Sequence, residues 1–98
     1  MTRKQKFYLG QTMITRNALC AVTQEEVIGA LNRHLFGDWG SVDAREFRVN
    51  EQGVEDYGRL VSAYQSASSG KEFYVVTEWD RSLTTICLAE EFHCSAPI

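Results

Sequence analysis

The chain has 98 residues, of which 44% are hydrophobic and 23% charged, and its formal charge is −3. This composition is typical of a globular protein rather than a disordered one, and the length predicts a single domain over residues 1–98. No run of about 18 apolar residues exists, which excludes a transmembrane helix. The basic start of the chain lacks the apolar segment of a signal peptide, so we predict a cytoplasmic protein.

The charge is distributed unevenly along the chain. Residues 1–6 carry three basic residues and no acidic one, so the rest of the chain has a formal charge of −6. A body of this sign repels phosphate groups, which argues against direct binding of nucleic acid. We expect residues 1–6 to form a solvated basic arm that is poorly ordered, like the tail at residues 92–98.

The three cysteines are Cys20, Cys87 and Cys94, and their odd number and wide spacing do not indicate a disulfide framework. Cys87 falls within a predicted strand, where a thiol behaves as a small buried hydrophobic group. His93 and Cys94 lie beside two glutamates, but zinc sites use four ligands at spacings that this cluster lacks. We therefore predict no bound metal and no cofactor.

In chain order, the first predicted elements are an edge strand over residues 7–15 and a short helical turn over residues 16–22. Thr23 and Glu26 then form a capping box, which marks the start of a longer helix. Apolar residues recur along that helix with a spacing of four, which predicts a stripe that packs on a core. His34 lies in its last turn, where a positive charge suits the helix dipole, and Gly37 suits its end.

The second half of the chain predicts one more helical region and three strands. A second capping pattern begins at Ser41 or Asp43, and the helix after it should be broken, with Asn50 capping its second part. Residues 59–68, 72–78 and 83–91 predict strands joined by two tight turns. The sequence therefore predicts an α+β fold, in which an antiparallel sheet of three or four strands packs against two or three helices.

A set of short motifs resembles a family of short uncharacterised plasmid-related proteins carried by bacterial mobile elements. These motifs are Gly37-Asp38-Trp39-Gly40, Asn50-Glu51, Arg59 to Tyr64, and Thr77-Glu78 followed by Asp80-Arg81-Ser82 and Thr84-Thr85. The resemblance covers about residues 8–91 and implies a mobile-element setting, but it carries no catalytic residues with it. Trp79 departs from the family pattern, where a small residue is expected, and so does the segment from residue 92 onwards.

Two aromatic side chains are candidate contacts for a partner. Trp79 lies in the second predicted turn with Glu78, Asp80 and Arg81, and tryptophan and arginine are enriched at interface hot spots. The alternative is a self-contained turn, in which Asp80 bonds backbone N–H groups and Arg81 pairs with an acid. Trp39 is the other candidate, and its alternative role is to pack in the core.

The predicted helix between Asp43 and Asp56 presents a possible acidic face. Its acids include Glu46, Glu51, Glu55 and Asp56. Such a face is ordinarily just solvated, but it could also mimic nucleic-acid charge and inhibit a host defence nuclease of the restriction or CRISPR type.

No catalytic motif stands out in the sequence. His34 and His93 lack a Ser, Cys or Asp partner at a recognisable spacing, so we expect no enzymatic activity. Thr84, Glu78 and Arg81 could instead form a small polar pocket for a small molecule. The leading hypothesis is a non-enzymatic interaction module that binds another protein, or itself as a homodimer.

Overall fold

Over residues 4–92, three helices and a four-stranded sheet make up an α+β fold, as the sequence predicts. The computed structural model describes residues 4–92, so His93, Cys94 and the rest of the tail lie outside it. Within the described residues, no helix has the length and apolar character that crossing a bilayer requires. The elements are β1 (Gln11–Ile14), α1 (Arg16–Ala21), α2 (Gln24–Leu35), α3 (Ala44–Asp56), β2 (Leu60–Gln65), β3 (Glu72–Thr77), β4 (Leu83–Leu88) and a 3₁₀ turn (Ala89–Glu91).

The strands are ordered β1-β4-β3-β2 across the sheet. The pairs β2/β3 and β3/β4 are antiparallel, which confirms the predicted meander. Strand β1 runs parallel to β4, with Thr12 opposite Thr84 and Ile14 opposite Ile86, so the sheet is mixed rather than purely antiparallel. A tight turn forces two strands to be antiparallel, but no such turn links β1 to β4, so the sequence does not determine their relative direction.

Side-chain oxygens define the start of each helix. Thr15 accepts from the backbone N–H of Ala18 at the start of α1, and the predicted capping box of Thr23 and Glu26 begins α2. Asp43 accepts from the N–H of Glu46 at 2.7 Å and begins α3. Each of these bonds satisfies a backbone donor that the first turn of a helix leaves unpaired.

Helix α3 is continuous from Ala44 to Asp56, so the predicted break at Asn50 is wrong. Asn50 is fully buried, and its amide faces the edge of the sheet instead of capping a helix. Its Nδ2 donates to Val61 O at 2.8 Å, and its Oδ1 accepts from Val61 N at 3.0 Å. These two bonds stabilise Asn50 within α3, although asparagine has a low helix propensity.

The same edge of the sheet is also covered by the chain before α3. Ala63 N donates to Trp39 O at 3.0 Å, and Ser41 N donates to Ala63 O at 2.8 Å. Gly40 lies between them with φ +74, and a Cβ at this position would lie only 1.9 Å from Ala63 O. Backbone and side-chain groups thus occupy the outer edge of β2, which would otherwise be open to another strand.

The core lies between the helices and one face of the sheet. Successive strand residues point to opposite faces, so Phe73 and Val75 of β3 point the same way and are buried with Ile86 of β4. Helices α1 and α2 cover this face with Ala18 and Ala30. A second cluster, which contains Phe7, Trp39 and Leu60, fills the space towards α3.

Candidate functional site

The loop between β3 and β4, residues 78–82, is closed by bonds within itself. Glu78 N donates to Leu83 O at 2.9 Å, and Arg81 N donates to Glu78 O at 3.0 Å. The Asp80 carboxylate accepts from the hydroxyl of Ser82 at 2.6 Å and from its N–H at 3.1 Å. Those two bonds, the hydroxyl first, hold the pKa of Asp80 below its usual value. Asp80 therefore shapes the turn, as the turn interpretation predicts.

Arg81 turns its guanidinium inward and joins this loop to the end of α3. It donates to Gly58 O and Gly53 O, both at 2.7 Å, and to Glu78 O at 3.1 Å. A positive charge at this position complements the carboxyl end of the helix dipole. Burial lowers the pKa of Arg81, but three carbonyl acceptors compensate for the lost hydration of its charge. Arg81 consequently holds the loop in place, with its guanidinium partly buried and bonded to these carbonyls.

Tyr57 and Arg81 share an uncommon backbone conformation. Their φ angles are 57° and 60°, and among residues 4–92 they are the two non-glycine residues with positive φ. Each such residue costs about 1–2 kcal/mol relative to glycine. They also touch, since the guanidinium carbon of Arg81 lies 5.2 Å from the centre of the Tyr57 ring. Strained backbone of this kind is concentrated at binding and active sites, so the contact singles out this end of the molecule.

Two large aromatic side chains are exposed here, Tyr57, which contacts Arg81, and Trp79, which lies two residues before Arg81 in the loop. Trp79 is 64% exposed and Tyr57 is 62% exposed. The indole N–H of Trp79 has no hydrogen-bond partner among the described residues, so it can donate to a partner molecule. We define the Trp79 surface as Tyr57, Trp79 and the adjacent carboxylate of Asp80. Tryptophan and tyrosine are among the residue types enriched at interface hot spots.

The Trp79 surface is supported from below by the segment before β1. The ring of Phe7 is buried and lies 5.6 Å from the guanidinium carbon of Arg81. Gly10 has φ +67, and a Cβ at this position would lie 2.4 Å from Arg81 O. This close approach holds the loop against β1, so Trp79 is carried by a rigid base.

Glu78 has a smaller part in the loop than its neighbours. Its carboxylate lies 3.5 Å from Nε of Arg59, in a partly exposed ion pair. Pairs of this kind contribute about 0–1 kcal/mol. Its backbone carbonyl, which accepts from the guanidinium of Arg81, is the more important group for the shape of the loop.

Trp39, the other predicted contact, lies in the core and is only 2% exposed. Its ring stacks on Phe7 with a centroid distance of 6.3 Å and an interplanar angle of 17°. Its indole Nε1 donates to Glu51 Oε2 at 2.8 Å. The packing interpretation of Trp39 is therefore confirmed, and its ring is not available to a partner.

The predicted acidic residues of α3 have different surroundings. Glu51 is bound to Trp39, and the carboxylate of Asp56 accepts from Gln52 Nε2 at 2.8 Å. Glu55 is exposed, while Glu46 is half-buried at the start of the helix. Arg45 and Arg48 are exposed on the same helix. The surface of α3 thus has mixed charge, which weakens the hypothesis that it mimics nucleic acid.

His34 has surroundings that differ from its predicted role. It is fully buried, and burial, with a smaller contribution from the charge of Arg81, lowers its pKa to about 3. It is therefore neutral, and the predicted interaction of a charged His34 with the helix dipole is wrong. It also has a serine partner, since its Nδ1 bonds Ser62 Oγ. Both side chains are 0% exposed, so the pair belongs to the core and not to an open site.

The hydrogen bonds around His34 have one consistent direction. Leu9 O can only accept, so Thr84 donates to it at 2.7 Å and accepts from Thr77 at 2.7 Å. Thr77 then accepts from Nε2–H of His34 at 2.9 Å. The remaining nitrogen, Nδ1, accepts from the Ser62 hydroxyl. A clue was present in the sequence, because Ser62, Thr77 and Thr84 all occupy the buried side of predicted strands, where each requires a polar partner.

The polar pocket predicted around Thr84 requires the Thr84 hydroxyl to be accessible, but this side chain is buried in the core. Thr84 is 0% exposed, and both of its hydroxyl bonds lie within the His34 chain. It therefore does not line an open pocket with Glu78 and Arg81. Within the described part of the chain, no group of three or more His, Cys, Asp or Glu side chains could hold a metal ion.

No family model, curated protein or solved structure matches the chain. We therefore infer its function from the geometry of the Trp79 surface.

Proposed function

We propose that the protein is a non-enzymatic interaction module that binds a partner protein through the Trp79 surface. One observation carries the proposal. Trp79 and Tyr57 are more than 60% exposed, yet they lie on a loop and a helix end that Arg81 joins with two 2.7 Å bonds. An exposed tryptophan on a rigid base binds with little loss of backbone freedom, which favours affinity.

The backbone strain supports the same assignment. Tyr57 occupies the position after α3 where glycine is the usual residue, at a cost of about 1–2 kcal/mol. Glycine would remove this cost but would also remove the exposed ring. A residue that is unfavourable for folding and whose ring is largely exposed is explained by a role in binding.

The test compares proteins captured from a bacterial lysate by immobilised wild-type protein and by variants. Trp79→Ser and Tyr57→Asn remove the rings, and asparagine tolerates the positive φ of Tyr57. Leu19→Ser is the matched control, because Leu19 is also 64% exposed but lies on α1. We expect at least one protein to be captured by the wild type and by Leu19→Ser in similar amounts. Both ring variants should capture about tenfold less of it.

The proposal fails if no captured protein distinguishes the ring variants from Leu19→Ser. Far-UV circular dichroism and the thermal midpoint must be recorded for each variant. Because all three side chains are exposed, we expect no variant to lose more than about 0.5 kcal/mol of stability, so loss of capture can be assigned to loss of contact.

A further inference from the structure

A second surface, unrelated to Trp79, is a groove of about 550 Å³ on the face of the sheet opposite α1 and α2. Val61 and Ala63 of β2 and Tyr74 of β3 form its floor, because they alternate with the residues that face the core. The chain before α3 and the first turns of that helix line one wall, and Phe92 lines the groove as well. The volume lies within the range of ligand-binding clefts, about 300–1,000 Å³.

The groove carries an excess of negative charge. Glu46 of α3 and Glu72 of β3 line it, and neither carboxylate has an ion pair or hydrogen bond among the described residues. Asp43 adds a third acid at the start of α3. The basic residue in the lining is Arg59, which already contacts Glu78 at 3.5 Å. The lining therefore has a formal charge of −2 and two carboxylates with no partner.

The apolar part of the groove suits the stem of a long cationic side chain. The rings of Tyr74 and Phe92 pack edge to face with their centroids 5.2 Å apart. Lysine and arginine lay their methylene groups along apolar surface and keep the charge near acids or aromatic faces. The edge of β2 beside the groove is already bonded to Asn50 and Trp39, so a partner cannot add a strand here. Recognition must come from side chains.

The chain itself contains a segment with this chemistry. Residues 1–6 hold three basic residues and no acidic one, while the rest of the chain has a formal charge of −6. Lys6 N donates to Leu35 O at 2.8 Å, which anchors the base of the basic arm, and Lys4 beyond it is exposed. We propose that the groove of one copy binds the basic arm of a second copy. The exchange is reciprocal and gives a two-fold symmetric dimer.

The decisive experiment uses two variants with opposite charge changes. The arm variant carries Arg3→Glu and Lys4→Glu, so that its arm and its groove are both acidic. The groove variant carries Glu46→Lys and Glu72→Lys, so that both are basic. Each variant repels itself, whereas a mixture restores attraction at both contacts. Analytical ultracentrifugation measures the mass of each sample at low and high salt.

We expect the wild type to dimerise, each variant alone to be monomeric with a Kd raised at least about tenfold, and the 1:1 mixture to form a heterodimer. High salt should weaken both dimers. The matched control carries Glu25→Lys and Glu55→Lys, which make the same charge change at exposed sites outside the groove, and it should dimerise like the wild type.

The proposal is overturned if the wild type stays monomeric at high concentration. A monomer whose arm binds its own groove would give this result and would also count against the proposal. The proposal is also overturned by a mixture that stays monomeric while both variants are folded. Should the groove variant not fold, fluorescence anisotropy with a labelled peptide of residues 1–6 is the second measurement. The wild type must bind this peptide and must not bind the same peptide with its three basic residues replaced by glutamate. Since the groove and the Trp79 surface share no residue, either proposal can fail while the other stands.

Discussion

Mild acid should destabilise this protein through His34. The imidazole is buried, neutral and bonded on both nitrogens, and its pKa in the folded chain is about 3 against 6.5 for an ordinary histidine. Below pH 6.5 the unfolded chain takes up a proton at this residue and the folded chain does not. The unfolded state then binds more protons, so the stability contributed by His34 is complete above pH 6.5 and is lost progressively down to about pH 3.

The size of the effect follows from the two pKa values. Each pH unit within this window changes the free energy of unfolding by about 1.4 kcal/mol, so a change from pH 7 to pH 5 costs about 2 kcal/mol. This interval separates His34 from the carboxylates. The pKa of Glu26 is lowered to about 2, mainly by the N–H of Thr23, and that of Glu91 is also lowered, so both lose their contributions only at lower pH.

The assay is urea denaturation followed by circular dichroism at pH 7, 6 and 5. His34→Gln removes the titrating group while keeping a donor and an acceptor, and its stability should change by less than about 0.5 kcal/mol over this interval. His93→Asn is the control, because the pH dependence should persist in it if His34 is the source. Nitrogen-15 NMR gives an independent reading, with His34 protonated at Nε2 and not at Nδ1 down to pH 4.5.

Two results would refute this reasoning. One is a wild type whose stability is constant between pH 7 and pH 5. The other is an NMR titration in which His34 takes up a proton near pH 6.5, since that would require an imidazole in contact with water.

Two further sets of variants test the backbone geometry by urea denaturation. Arg81→Ala should lower the free energy of unfolding by about 3 kcal/mol because the carbonyls of the α3 end lose a charged donor, and Arg81→Gly should lose about 1 kcal/mol less because glycine tolerates positive φ. The exposed Arg45→Ala should change stability by less than about 0.5 kcal/mol, and an equal result for Arg81→Ala would contradict the bonding described for it. Gly40→Ala should cost at least about 2 kcal/mol because its Cβ would collide with Ala63 O, whereas Gly29→Ala, with nothing within 4 Å of the new Cβ, should stabilise α2 by about 0.5–1 kcal/mol. A Gly40→Ala variant as stable as the wild type would show that β2 is not covered at this point.

The elements that the sequence predicts well are those with local signals. The capping box of Thr23 and Glu26 and the two tight turns between the predicted strands involve neighbours in sequence, so the predictions of α2 and of the meander are correct to within a few residues. The direction of β1 and the continuity of α3 depend on partners far along the chain. Asparagine has a low helix propensity, so the sequence predicts a break at Asn50. The two hydrogen bonds between its amide and the backbone of Val61, eleven residues away, explain why the helix continues.

The candidate site shows the same division. The loop and the exposure of Trp79 could be predicted, because a tryptophan among four polar residues in a turn is difficult to bury. The role of Arg81 could not, since its acceptors are backbone carbonyls of Gly53 and Gly58, which have no side-chain signature. The exposure of Tyr57 could not be predicted either. It results from a left-handed backbone at a helix end, which its neighbours in sequence do not indicate.

The covered edge of β2 limits how copies of this protein can assemble. Asn50 and the chain around Gly40 occupy the outward-facing groups of Val61 and Ala63, whereas no element covers the outer side of β1 among the described residues. Two copies that pair through β1 would leave only covered edges at both ends of the joint sheet. Assembly by strand addition therefore stops at two molecules, and a filament cannot grow by this route.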